Sequence, residues 1–256
     1  MARVDLTVRG GGIFGLSIAW AAVQRGAKVR LIETQRIGAG SSGGVVGALS
    51  PHVPEDWSEK KAFQLQSLLM AQTWWQAVEA ASGTPSGYAR TGRLQPLADA
   101  AAVDLAQRRA DFARDLWQGH AEWWLIPATG GAWEPASPSG WLVHDTLSAR
   151  LHPRMAASAL VAAIRAKGGE VVIGDAADEG AVVWATGLSG LQALSDDLGR
   201  TVGDGVKGQA LLLRLPGHVR LLLDGGGSAS PRFDPGQALV APALTYNDAP
   251  LLTAIL

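Results

Sequence analysis

The sequence predicts an α/β fold: a parallel, doubly wound sheet that is interrupted by a long α+β insertion and then resumed. Three observations predict it. An apolar strand at Val4–Arg9 runs into a glycine-spaced turn and then a helix pattern. A second strand, Lys28–Ile32, follows that helix and ends in Glu33. The strand–helix alternation then lapses, and it returns only at Pro153 with a helix and two further strands.

The first strand and helix carry the strongest local signal. Gly10-x-Gly12-x-x-Gly15 lies between them, and Leu16, Ala19, Trp20 and Val23 share one face of the helix. Gly10 permits a tight turn, Gly12 lets the backbone approach a pyrophosphate, and Gly15 lets the helix pack closely on the strand. The helix N-terminus adds unpaired N–H groups and the positive end of its dipole. Glu33, 21 residues beyond Gly12, is placed to accept hydrogen bonds from a ribose diol. This is the context of a Rossmann-type dinucleotide turn. The spacing alone would not suffice, because 32 glycines in 256 residues give about 0.5 such matches by chance. Three matches occur, starting at Gly10, Gly38 and Gly203, and only the first has a strand before it and a helix after it.

Residues 34–56 shift from Gly and Ser to the β-prone Val45-Val46 and end at Pro51 and Pro54. A helix is predicted from Asp56–Ser58 to Ala81, where Gly83 and Pro85 stop it. Leu65, Leu68, Leu69, Gln72 and Trp75 trace one side, widened by Phe63, Met70 and Trp74. Arg90–Leu97 reads as a strand, Asp99–Trp117 as a charged amphipathic surface helix, and 127–141 as a loop before a short strand at Trp141–Val143. Trp74-Trp75 and Trp123-Trp124 are expected to anchor a core, as large aromatics do. Pro153 suits the first position of a helix that buries Leu160, Val161 and Ile164 and ends at Gly168-Gly169. Strands follow at Glu170–Ile173 and Ala181–Ala185, the second read as buried and running into Thr186-Gly187.

Composition narrows the function classes. A hydrophobic share of 47% with 18% charge describes an ordinary globular chain. A net charge of −1 with no basic cluster argues against nucleic-acid binding. The absence of cysteine excludes disulfides, iron–sulfur clusters, thiolate zinc sites and a cysteinyl cofactor link. No apolar run reaches the ~18 residues of a membrane span. The first apolar run enters the glycine turn directly instead of forming a cleavable leader, so a cytoplasmic location is expected. His52, His120, His144, His152 and His218 show no metal-ligand spacing, and no metal is expected. His52 is read as a loop histidine satisfied by its neighbours.

Taken in order, several segments resemble the FAD-dependent oxidoreductases of the D-amino-acid oxidase and glycine oxidase type. They are the glycine turn, Glu33, Gly40–Gly44 leading to Ala48-Leu49, Pro153-Arg154, Val183–Gly187, and Val206-Lys207-Gly208-Gln209, within residues 3–210. The resemblance implies a discontinuous Rossmann-type FAD-binding domain, residues 1–56 and 150–203, with an inserted α+β substrate domain, residues 57–149 and 204–256. It implies that Gly10, Gly12, Ile13, Phe14 and Gly15 hold the FAD pyrophosphate and that Glu33, with Thr34 beside it, takes the adenosine ribose. Ser41 and Ser42 would bond the phosphates, Val46, Gly47, Ala48 and Leu49 would pass along the isoalloxazine, and Thr186 and Gly187 would lie near the adenosine half. The implied reaction is hydride transfer from the α-carbon of a small amine or amino acid to flavin N5, with oxygen or another acceptor reoxidising the flavin. No catalytic residue is assigned.

Members of that family are longer, and the pattern is lost past residue 210, where Arg220 and Arg232 sit in no matching motif. The expectation is a copy lacking the usual C-terminal part, or altered there by a change of reading frame. An FAD-binding remnant without turnover is therefore the alternative function. Gly40–Pro51 is also similar to the FAD module that modifies a tRNA wobble uridine, a role the net charge of −1 opposes. Gly40-Ser41-Ser42-Gly43-Gly44 matches a serine-hydrolase nucleophile elbow, which should follow a buried strand and open a helix; Ile37-Gly38-Ala39 and Val45-Val46 flank it instead.

Overall fold

A computed structural model describes residues 4–44, 46–131 and 134–205, with backbone strand segments at Leu221–Asp224, Val240–Pro242, Leu244–Tyr246, Ala249–Leu251 and Ala254–Ile255. In chain order the first elements are β1 (Leu6–Arg9), α1 (Ile13–Gln24), β2 (Val29–Glu33), β3 (Gly47–Leu49), α2 (Glu59–Ser82), β4 (Arg93–Pro96) and α3 (Ala100–Trp117). They are followed by β5 (Trp123–Pro127), β6 (Trp141–Asp145), β7 (Ala149–Leu151), α4 (Pro153–Ala166), β8 (Glu170–Ile173), β9 (Ala181–Trp184) and α5 (Gly187–Leu198). Two compact units result. One comprises residues 1–46, 73–88 and 152–207, the other 47–72, 89–151 and 208–256.

The first unit holds a four-stranded sheet of order β8-β2-β1-β9 with every neighbouring pair parallel. Each parallel step needs a crossover, and α1 makes the one between β1 and β2. Val8, Val29 and Leu31 are buried together with Leu16, Ala19, Trp20 and Val23 of α1. On α4 the buried residues are Leu160, Ile164 and four alanines, Ala156, Ala157, Ala159 and Ala163, whose small side chains let α1 and α4 approach closely. Val161, expected in that stripe, is only half-buried. On the other sheet face Glu170 of β8 and the segment between β8 and β9 pair two arginines. Arg30 pairs with Glu170 at 2.7 Å and Glu179 at 2.8 Å, and Arg9 pairs with Asp178 at 2.8 Å.

β9 corrects the sequence reading. It was expected to be buried, yet Val182 is 36% and Trp184 67% exposed. Composition cannot tell a central strand from an edge strand, and among the described residues β9 is the last strand of this sheet. Trp184 instead lies 5.3 Å from the Arg9 guanidinium, which stacks over its ring.

α2 starts and stops close to where its signals place it. Leu68, Trp75 and Val78 are its buried residues, while Phe63, Met70 and Gln72 are exposed. The apolar positions wrap too far round a period of 3.6 to be covered together, so Phe63 and Met70 project from the far side.

The second unit is built on the antiparallel sheet β4-β6-β5. Asp99 caps α3 by accepting from the Ala102 N–H at 2.9 Å. Trp117 of α3 meets Trp123 of β5 edge-on, with ring centroids 6.1 Å apart, inside a core that includes Leu68, Leu97, Ala106, Ala113, Val143 and Leu147. Neither β5 nor β7 was predicted. Strand alternation explains why the Trp123-Trp124 pair divides: Trp123 enters the core, and Trp124 faces the opposite side, 44% exposed. Arg109 of α3 bonds Glu55 with both Nε and Nη2, tying the segment before α2 to α3. The segments Val206–Gln209, Arg220, Gly225–Gly227 and Arg232 lie outside the described residues.

One buried ionic cluster fixes the register of this sheet. Arg93 and Asp145 are cross-strand partners, both almost fully buried, with Nε to Oδ2 at 3.0 Å. Asp145 also accepts from the Ser148 N–H at 2.7 Å and the Ser148 hydroxyl at 3.0 Å, so its lone pairs are well used. Removing one partner of such a pair strands a buried charge. Arg93→Ala is expected to cost about 3–5 kcal/mol in urea unfolding, and Arg93→Met with Asp145→Leu to recover most of it. A double variant no more stable than the single one would contradict this account.

Candidate functional site

The site in the first unit begins with two contacts that only glycine allows. Gly10 has φ +113°, and a Cβ there would lie 2.3 Å from the Ala185 carbonyl oxygen. A Cβ on Gly15 would lie 1.9 Å from the Gly10 oxygen. The start of α1 is thus pressed against the turn that leaves β1, and Thr186, the cap residue of α5 just after β9, adjoins the same turn.

The turn's N–H groups meet oxygen acceptors. Glu33, at the end of β2 and largely buried, accepts from the Gly11 N–H at 2.7 Å through Oε2 and from the Gln35 N–H at 2.9 Å through Oε1. Ser42 Oγ accepts from the Ile13 N–H at 2.9 Å, at the first residue of α1. No acidic side chain and no side-chain cap of its own occupies that helix start. Gly12 stays accessible, since a Cβ there would meet nothing nearer than Ser42 Oγ at 3.2 Å.

The second glycine pattern, dismissed on sequence context, repeats the device of the first. Gly38 has φ +67°, and a Cβ on Gly43 would lie 2.1 Å from the Gly38 oxygen. The Gly38 N–H donates to the Gly11 oxygen at 2.9 Å, docking the second loop on the first. Arg154, in the first turn of α4, donates from Nε to the Gly43 oxygen at 2.9 Å, and Arg36 reaches the Gly38 oxygen at 3.4 Å. Gly11, Gly38, Gly43 and Arg154 were given no site role from sequence, and Arg36 was considered there only for a 2′-phosphate that Glu33 would repel. The repeat of G-x-G-x-x-G was the available signal for two of them, Gly38 and Gly43.

Of the sequence-derived candidates, Gly10, Gly12, Ile13, Gly15, Glu33, Ser42 and Thr186 come together around this turn. Phe14 is 79% exposed, and Thr34 and Ser41 are also exposed. Gly187 has φ +62° and opens α5. Val46 is half-buried in the first unit, whereas Gly47, Ala48 and Leu49 form β3 of the second unit, paired antiparallel with β7.

Ser42 does not sit in a nucleophile elbow. A loop precedes it, and a single 3-10 turn, Ser41–Gly43, takes the place of the helix that such an elbow opens.

The chain matches the family described as FAD dependent oxidoreductase, DAO, over residues 5–243. It belongs to that family. The family is FAD-dependent, and the parallel sheet with its glycine turn is the corresponding Rossmann-type scaffold. A curated relative, described as a putative thiamine biosynthesis oxidoreductase ThiO of Rhizobium etli, is 30% identical over 232 residues, covering 85% of this chain and 64% of that protein. Glycine oxidase from Geobacillus kaustophilus has a similar fold, with TM-score 0.61 and 20% identity over 78% of this chain and 59% of that one. L-amino acid deaminase from Proteus myxofaciens gives TM-score 0.63 and 19% identity over 87% and 54%. The chain therefore spans less than two thirds of each of these relatives. Among the described residues no helix is long and apolar enough to cross a membrane.

Two outcomes test this geometry. Gly15→Ala is expected to lower the thermal midpoint of the first unit, because its methyl group meets backbone and not a movable side chain. An unchanged midpoint would refute the close contact. Burial first, and then the charges of Lys60 and Lys61, holds the His52 imidazole below its ordinary value of 6.5. An NMR titration should show this low midpoint, and Lys60→Met with Lys61→Met should raise it part of the way.

Proposed function

We propose that the first unit binds FAD and that the chain acts with it on a small amine or amino acid. The carrying observation is the pair of N–H groups, Gly11 and Ile13, presented to the Glu33 carboxylate and the Ser42 hydroxyl. A helix start without its own cap, an accessible Gly12 and neighbouring hydroxyls suit the oxygens of a diphosphate. The residues present therefore fit the cofactor.

In this reading Gly10, Gly12, Ile13, Phe14 and Gly15 hold the pyrophosphate, helped by Ser41 and Ser42. Glu33 and Thr34 take the adenosine ribose, with Thr186 and Gly187 near the adenosine half. Val46, Gly47, Ala48 and Leu49 pass along the ring system. Arg36 and Arg154 act by holding the Gly38–Gly43 loop and so keep Ser42 over the start of α1. Residues 1–56 and 150–203 form the cofactor domain, and 57–149 with 204–256 the substrate domain.

When bound, FAD supplies the hydride acceptor, and oxygen or another oxidant restores it. The protein's part is to position and desolvate an amine, without a strong general base. The relatives' printed names, glycine oxidase and ThiO among them, support an amino-acid or amine substrate.

Titration with FAD, followed by flavin fluorescence and by the thermal midpoint, tests the binding. Gly12→Ala should fold normally, because its methyl group meets only the Ser42 hydroxyl, yet weaken FAD by at least about tenfold by blocking backbone approach. No binding by well-folded protein would sink the proposal. Anaerobic bleaching of the bound flavin by glycine, sarcosine or a D-amino acid would favour turnover over simple binding.

A further inference from the structure

Two cations are fixed on the Gly38–Gly43 loop, and bracing does not exhaust what they bring. Arg154 donates from Nε to the Gly43 oxygen at 2.9 Å, and Arg36 from Nη1 to the Gly38 oxygen at 3.4 Å. Both oxygens belong to one closed turn, in which a Cβ on Gly43 would lie 2.1 Å from the Gly38 oxygen and 3.6 Å from Arg36 Nη1. Both acceptors are neutral carbonyls, so neither bond cancels the charge of its guanidinium. Ser42 lies inside this turn and accepts from the Ile13 N–H at the start of α1.

Arg154 holds its place against a local preference. It stands in the first turn of α4, which has no acidic residue there, and a cation at that end opposes the helix dipole. Bracing alone asks for one donor N–H, which a neutral side chain could supply. The glycine turn has the converse imbalance. The Glu33 carboxylate is largely buried and lies 2.7 Å from the Gly11 nitrogen. A negative charge therefore already stands beside the backbone that a diphosphate has to approach, and like charges at short range repel most where water is scarce.

We propose that Arg36 and Arg154 are charge-supplying residues of the diphosphate site. Their guanidinium charges offset Glu33 and attract a dianion across the Gly38–Gly43 loop. This rests on the reading that the first unit binds FAD, and it adds an electrostatic role to the bracing one. No contact with the phosphates is needed, since a charge acts over about 10 Å at moderate ionic strength.

The test is the dissociation constant of FAD from the flavin-free chain at increasing salt, with ADP as a second probe that carries a diphosphate without the ring. For the unaltered chain both affinities should fall several-fold from low to high salt. Arg36→Met with Arg154→Met should weaken both ligands by at least about tenfold at low salt and flatten the salt dependence. Arg36→Lys with Arg154→Lys keeps the charges and loses the planar fork, so it should bind within about threefold of the unaltered chain and keep the salt dependence. A merely structural brace predicts the opposite, a loss in the lysine variant and no effect of salt. Hydrogen exchange at the Ile13 amide, the donor to Ser42, shows whether the loop stays closed in each variant.

Three results would each overturn the charge role while leaving the FAD reading intact: salt-independent binding by the unaltered chain, lysine variants as weak as the methionine ones, or methionine variants that lose affinity only together with Ile13 protection. Binding of neither FAD nor ADP by the unaltered, folded chain would overturn both.

Discussion

The approach of the α1 start to the end of β1 governs the first unit. A methyl group at Gly10 or Gly15 would collide with backbone carbonyls, which have no rotamer to escape into. With both positions bare, the helix packs down and its first N–H groups emerge beside the end of β2. Glu33 and Ser42 can then reach them from two different segments. Chemistry at this site is thus a consequence of a steric allowance, made before any ligand contact is considered.

The same device, used twice, makes the site a layered structure. The Gly38–Gly43 loop closes on itself as the first turn does and hangs from the Gly11 oxygen. Its hydroxyl is therefore placed by hydrogen bonds from the first turn and by Arg154 of α4, a residue 111 positions further along the chain. The discontinuous sheet serves this end. α4 and β8 return after the insertion to complete the layer on which the loop rests. The insertion has its own organising constraint, the buried Arg93–Asp145 pair, and so keeps its register by internal means.

Sequence reasoning read the first unit well because its signals are local. Strand, glycine spacing, helix stripe and an acidic residue all fall within residues 4–33, and Pro153 and Gly168-Gly169 bracket α4. It read the insertion less well. β7 is a short strand whose partner β3 is distant in sequence, β5 pairs with the next strand across a loop, and tryptophan pairs suggest a core without saying which ring enters it. The roles of Gly38 and Gly43 were missed for a similar reason, although Ser41 and Ser42 between them were expected to bond the phosphates: no strand runs directly into the loop, and its partner is the first turn.

The sequence by itself determined the α/β class, the place of the glycine turn and the helix that follows it. Those depend on steric limits and periodicities acting over a few residues. Only the tertiary structure decided that β9 ends the sheet among the described residues, that Glu33 and Ser42 converge on one turn, and that Arg154 braces the loop. These are relations between segments far apart in the chain, and they are set by how the sheet is ordered. No local pattern encodes which strand will be last in that order.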